Sequence, residues 1–71
     1  MERIKYTHHA EKRLKERFIS KQDVENGIIN RKWQDAFADR KKVVQPINGK
    51  DIEVVFKHED NKVVVITVYW R

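Results

Sequence analysis

Three side chains near the start of the chain are spaced for phosphate chemistry. His9, Arg13 and Arg17 follow one another at four-residue intervals, so on a helix they form one oblique row. Ala10, Leu14 and Phe18 form the neighbouring row, which is apolar. The imidazole and the two guanidiniums are therefore expected along the edge of a buried stripe, held firmly with their heads in reach of a ligand. Metal-free cleavage of RNA needs such a set: a base for the 2′-hydroxyl, an acid for the leaving oxygen and fixed positive charge for the phosphorane. Histidine suits the proton work, with an ordinary pKa of ~6.5. Its place in the first turn sets the helix dipole against the imidazolium, which favours the neutral base. Arginine suits the phosphate, because its planar fork gives paired charge-assisted hydrogen bonds.

The far end of the chain offers a second set. Thr67 and Tyr69 lie two apart in the segment Lys62–Trp70, the most β-prone of the chain, so they point the same way. Tyr69 is a candidate second acid, or a platform on which a base stacks, and Thr67 a supporting donor. A purely structural reading competes at each position. Arg13 can pair with Glu16, Arg17 can lay its stem on the core edge, and Tyr69 can cover the core with its hydroxyl in water. No metal or other cofactor is expected. Adjacent His8 and His9 diverge by about 100° on a helix, there is no cysteine, and no metal-ligand spacing or glycine-rich phosphate loop is present.

These residues need elements to hold them. Ile4–Lys5–Tyr6 reads as an extended lead-in or short strand, and Thr7 as the N-cap of a helix opening at His8. Glu11 with Lys15, and Lys12 with Glu16, are spaced for exposed ion pairs. Ser20 and Asp23 resemble a capping box for a second helix, with Val24, Ile28 and Ile29 as its apolar face. Gly27 either weakens that helix or admits a close neighbour. Beyond Asn30 the period becomes that of strands: Trp33 to Ala38, a charged turn Asp39–Lys42, Val43 to Ile47, an Asn48–Gly49 hairpin turn, Asp51 to Lys57, a turn at His58–Asn61, and Lys62 to Trp70. Pro46 argues for an edge or a bulge. Ile52, Val54 and Phe56 share one face. The expected architecture is α+β: two N-terminal helices on one face of a four-stranded antiparallel meander, ααββββ. Val55, Val63, Val65, Thr67 and Tyr69 are then expected together on the other face, open or covered by a partner.

Composition sets the class. Seventy-one residues with no linker or repeat make one domain, residues 1–71. The net charge of +5 favours an anionic partner: nucleic acid, or an acidic protein. The start, Met1–Glu2–Arg3, carries no apolar leader, and no run is long enough for a bilayer. The expected compartment is the cytoplasm, with no membrane partner.

Taken together, Tyr6–Thr7–His8–His9–Ala10, Arg13, Arg17, Ile19–Ser20, Asp23–Val24 and the strand ending Val65–Ile66–Thr67–Val68–Tyr69 resemble the DUF4258 family over nearly the whole chain. Phe18 stands where a glycine is common in that family. The family is in turn similar to RelE-like and BrnT-like toxins of the barnase-like ribonuclease group. That resemblance implies metal-independent cleavage of RNA and a cognate acidic antitoxin covering the basic surface. It carries over to His9, Arg13 and Arg17, and more weakly to Thr67 and Tyr69. The expected function is thus a toxin-like endoribonuclease cutting by 2′-hydroxyl attack. The alternative is a non-catalytic module that binds RNA or an acidic protein. A homodimer burying Val55, Val63 and Val65 across the open face is a third reading.

Overall fold

The computed structural model describes Arg3 to Arg71. Met1 and Glu2, where the reading of a missing leader begins, lie outside the described residues. The order is β1 (Arg3–Tyr6), α1 (His8–Arg17), α2 (Lys21–Asn30), β2 (Gln34–Asp35), β3 (Lys41–Ile47), β4 (Lys50–Glu59) and β5 (Lys62–Trp70). Both helix starts follow the capping logic. Thr7 Oγ1 accepts from the Ala10 amide at 3.1 Å. Ser20 Oγ accepts from the Asp23 amide at 3.1 Å and donates to its carboxylate at 2.8 Å. The Arg13–Glu16 pair forms as its spacing allows, at 2.9 Å, whereas Glu11 meets Lys21 of α2 at 3.2 Å in place of the expected Lys15.

The α+β class holds, but the sheet is five-stranded and mixed, in the order β1-β5-β4-β3-β2. The lead-in is a true strand. It pairs parallel to β5, with Ile4 opposite Val63 and Tyr6 opposite Val65. Sequence periodicity cannot reveal this, because a parallel neighbour is chosen by the crossover that follows it. The expected strand Trp33–Ala38 shrinks to Gln34–Asp35. The chain then turns at Ala38–Asp39, both at positive φ, and β3 already begins at Lys41, inside the expected turn. The final hairpin turn sits at Asp60–Asn61, later than expected, because β4 runs on to Glu59. Both tight hairpins use two successive positive-φ residues: Asn48–Gly49 and Asp60–Asn61. That twist matches the flanking strands.

The core lies between the helices and one sheet face: Ala10, Leu14, Ile19, Val24 and Ile28 against Val43, Ile52, Val54, Phe56, Val63, Val65 and Val68. Trp33 and Trp70 pack at its margin. Ile29, expected in the core, is 64 % exposed, so the apolar face of α2 is narrower than its sequence suggests. Gly27 is the close-approach glycine. A Cβ there would stand 3.0 Å from the Gln45 Cβ, so α2 lies almost backbone-to-sheet on β3.

One irregularity redistributes the last strand. Val55 pairs with Thr67, yet Phe56 pairs with Val65, which leaves Ile66 as an extra residue. Such a bulge flips the alternation beyond it. Val63 and Val65 are therefore fully buried in the core, while Thr67 and Tyr69 face the other way. This corrects the expected open face, and with it the homodimer reading that needed Val63 and Val65 at a surface.

Candidate functional site

Helix α1 is fastened to β5 at both ends. β1 covers β5 only as far as Val65. Past that point the Thr7 amide donates to the Val65 carbonyl at 3.0 Å, and the Thr7 hydroxyl to the Ile66 carbonyl at 3.2 Å. At the other end Arg17 Nη1 donates to the Val68 carbonyl at 3.0 Å, and the Trp70 indole N–H donates to the Arg17 carbonyl at 3.1 Å. α1 thus runs beside the length of β5 that β1 leaves unpaired. Thr7 ties the helix start to the bulge, since one hydroxyl caps α1 and holds the extra residue.

The three-residue row follows this seam with a drift of about 40° per step. Arg17 comes nearest the core and is half-buried, whereas His9 is exposed. His9 Nε2 accepts from Arg13 Nε at 3.4 Å, and Arg13 Nη1 holds Glu16. Arg17 spends one donor on the Val68 carbonyl, and among the described residues no carboxylate pairs with it. Its remaining donors border a groove.

Thr67 and Tyr69 stand on the helix-free face. Thr67 lies in a cross-sheet row with Val55 and Lys42, and Tyr69 in the next row with Glu53 and Val44. The Tyr69 hydroxyl donates to Glu53, a carboxylate only 9 % exposed, with Arg71 Nε 3.8 Å from the same group. That hydrogen bond, then burial and the negative charge of Glu53, hold the Tyr69 phenol above its ordinary pKa, against a smaller opposing pull from Arg71. Its proton is committed within the protein. The structure therefore joins His9, Arg13 and Arg17 along one seam and leaves Thr67 and Tyr69 on another surface.

The sequence reading missed the groove at the end of that seam. It has a volume of about 930 Å³, and Arg17, Phe18, Asn48, Lys50, Trp70 and Arg71 are among the residues that line it. Neither His9 nor Tyr69 does. Phe18, expected in the buried row, is 94 % exposed. The chain ends α1 with a left-handed residue there, at φ 55°, and the Ile19 amide returns to the Leu14 carbonyl at 3.0 Å. This reversal buries Leu14 and Ile19 together and swings Phe18 outward. A glycine at this position, common in the resembling family, was the available signal. Among the described residues no group of three or more acids and histidines is placed to hold a metal ion, and no helix is long and apolar enough to cross a membrane.

No curated protein and no solved structure matches the chain. A family model described as "Domain of unknown function (DUF4258)" matches residues 6–70, from the last residue of β1 to the end of β5. With both helices, the seam and all five candidate residues inside that match, the chain belongs to the DUF4258 family.

Proposed function

We propose that this domain acts on RNA as a toxin-like, metal-independent endoribonuclease. The observation that carries the reading is the fastened seam. α1 is held at both ends, so His9, Arg13 and a carboxylate-free Arg17 keep fixed positions on one basic ridge. A neutral His9 takes the proton from a 2′-hydroxyl, and the freed oxygen attacks the adjacent phosphorus. The bond to the 5′-oxygen breaks, and that oxygen takes its proton from the imidazolium or from water. The products are a 2′,3′-cyclic phosphate and a 5′-hydroxyl. Arg13 and Arg17 bear on the charge that grows on the phosphorane oxygens. Tyr69 and Thr67 enter as contacts for the flanking chain on the helix-free face, since the phenol proton is already given to Glu53.

A second reading is a non-catalytic module that binds RNA or an acidic protein, such as an antitoxin, through the same ridge. It is favoured by the internal engagement of Tyr69 and Arg17, which leaves His9, itself in contact with Arg13, without a second proton carrier among the five candidate residues. The two separate on one experiment: RNA incubated with the protein in EDTA, with His9→Ala beside it. The enzyme reading expects cyclic-phosphate ends from the wild type and a loss of about 100-fold or more in His9→Ala, whose RNA affinity stays close to wild type. Absence of cleavage, or cleavage that appears only with divalent metal, sinks it.

A further inference from the structure

We infer that the groove beyond Arg17 is a subsite for one unstacked nucleotide of single-stranded RNA, with its base on Phe18 and its phosphate among Arg17, Lys50 and Arg71. The inference rests on the reading of RNA as the ligand and adds where the strand runs. Phe18 carries two costs at once. A β-carbon at φ 55° opposes the left-handed conformation, and an almost fully exposed ring forgoes its burial. Glycine would remove both. A ring kept there is an open aromatic platform, and every base has a face to lay on it.

The groove around the ring supplies the rest of a nucleotide's needs. Its volume of about 930 Å³ leaves ample room for a nucleotide. Arg17 is pre-set by the Val68 carbonyl, and neither it nor Lys50 has a carboxylate partner among the described residues. Arg71 is only loosely drawn to Glu53, at 3.8 Å. Asp51 is the one acid in the wall, so cations outnumber it and an anion is favoured. The opposite wall is the Asn48–Gly49 turn. A Cβ on Gly49 would meet nothing within 4 Å, so the space beside this turn is open. Arg17 belongs to both the ridge and the groove. Phe18 lies about 13 Å along the helix axis from His9, so a strand whose scissile phosphate lies by His9 and Arg13 reaches it one or two nucleotides further on.

The test uses a short 2′-deoxy oligonucleotide, which has no 2′-hydroxyl to attack, so affinity is read without turnover. A duplex of the same sequence runs beside it. Phe18→Gly should fold with a raised Tm and lose about tenfold in affinity for the single strand, while Phe18→Tyr keeps it. Lys50→Ala should lower the slope of log K against log salt by about 0.7. The duplex should be indifferent to Phe18. Affinity of Phe18→Gly within twofold of wild type, or an equal loss for duplex and single strand, overturns the subsite. A tenfold loss in a protein that never cleaves RNA keeps the subsite and fails the ribonuclease reading. Cleavage with an unchanged KM in Phe18→Gly does the reverse. No binding of either oligonucleotide by the wild type overturns both.

Discussion

Glu53 is a buried charged residue in an environment unusual for its type. A carboxylate buried to 9 % exposure depends on its partners, and it has two: the Tyr69 hydroxyl, and Arg71 at 3.8 Å. Tyr69→Phe removes the nearer one and leaves a buried acceptor short of a donor. We expect a loss of about 1–2 kcal/mol, read from the urea midpoint. Glu53→Leu with Tyr69→Phe removes both ends of the bond and should recover most of that loss. Losses that simply add would mean that the pair is not coupled. Phe18 makes the complementary point on the surface. Its conformation is set by the reversal that buries Leu14 and Ile19, so the side chain is what its position exposes, and not what its hydrophobicity prefers.

At the scale of elements, the close packing of α2 on β3 hangs on Gly27. Helix propensity alone says that alanine there gains about 1 kcal/mol. The added methyl would meet the Gln45 Cβ at 3.0 Å and the Val43 Cγ2 at 3.4 Å, and a β-carbon cannot swing away as a side-chain tip can. Overpacking of this kind costs about 1–3 kcal/mol. Gly27→Ala should therefore destabilise by about 1 kcal/mol net, visible as a lower Tm; a rise would show that α2 rides freely on the sheet. α1 is held differently, by hydrogen bonds at its two ends. Thr7 serves four groups there: the Ala10 amide and the Ile66 carbonyl through its hydroxyl, the Val65 carbonyl through its own amide, and the Glu11 amide through its carbonyl. The bulge at Ile66 and the start of α1 are thus one construction.

Across the whole molecule, Tyr6 joins β1 to α2. Its hydroxyl donates to Glu25 at 2.7 Å, and Lys21 stands 4.8 Å from its ring centre. Burial first, then the hydrogen bond to Glu25, raise the phenol's pKa above the ordinary 10.0. The unfolded chain gives up this proton near pH 10 while the folded chain still holds it. Stability from this group is therefore complete below about pH 10 and falls as pH rises beyond it. Tyr6→Phe should lower stability at neutral pH and flatten the alkaline decline. Urea titrations at pH 8 and pH 10.5 check this, and equal slopes for the two proteins would contradict it.

What the sequence alone determined was the local part of the molecule. The two N-caps, the Asn48–Gly49 turn, the Ile52–Val54–Phe56 face and the His9–Arg13–Arg17 row were legible, because each depends on residues within a turn or a strand of one another. The family was legible in the same residues. Tertiary structure decided the rest: the parallel β1, the bulge that sends Val63 and Val65 inward but Thr67 and Tyr69 outward, the clasp of Arg17 on Val68, and the groove beside Phe18. Each of these depends on contacts between segments far apart in the chain. That is settled by how the chain closes on itself, where a single extra residue in one strand reverses every side chain that follows it.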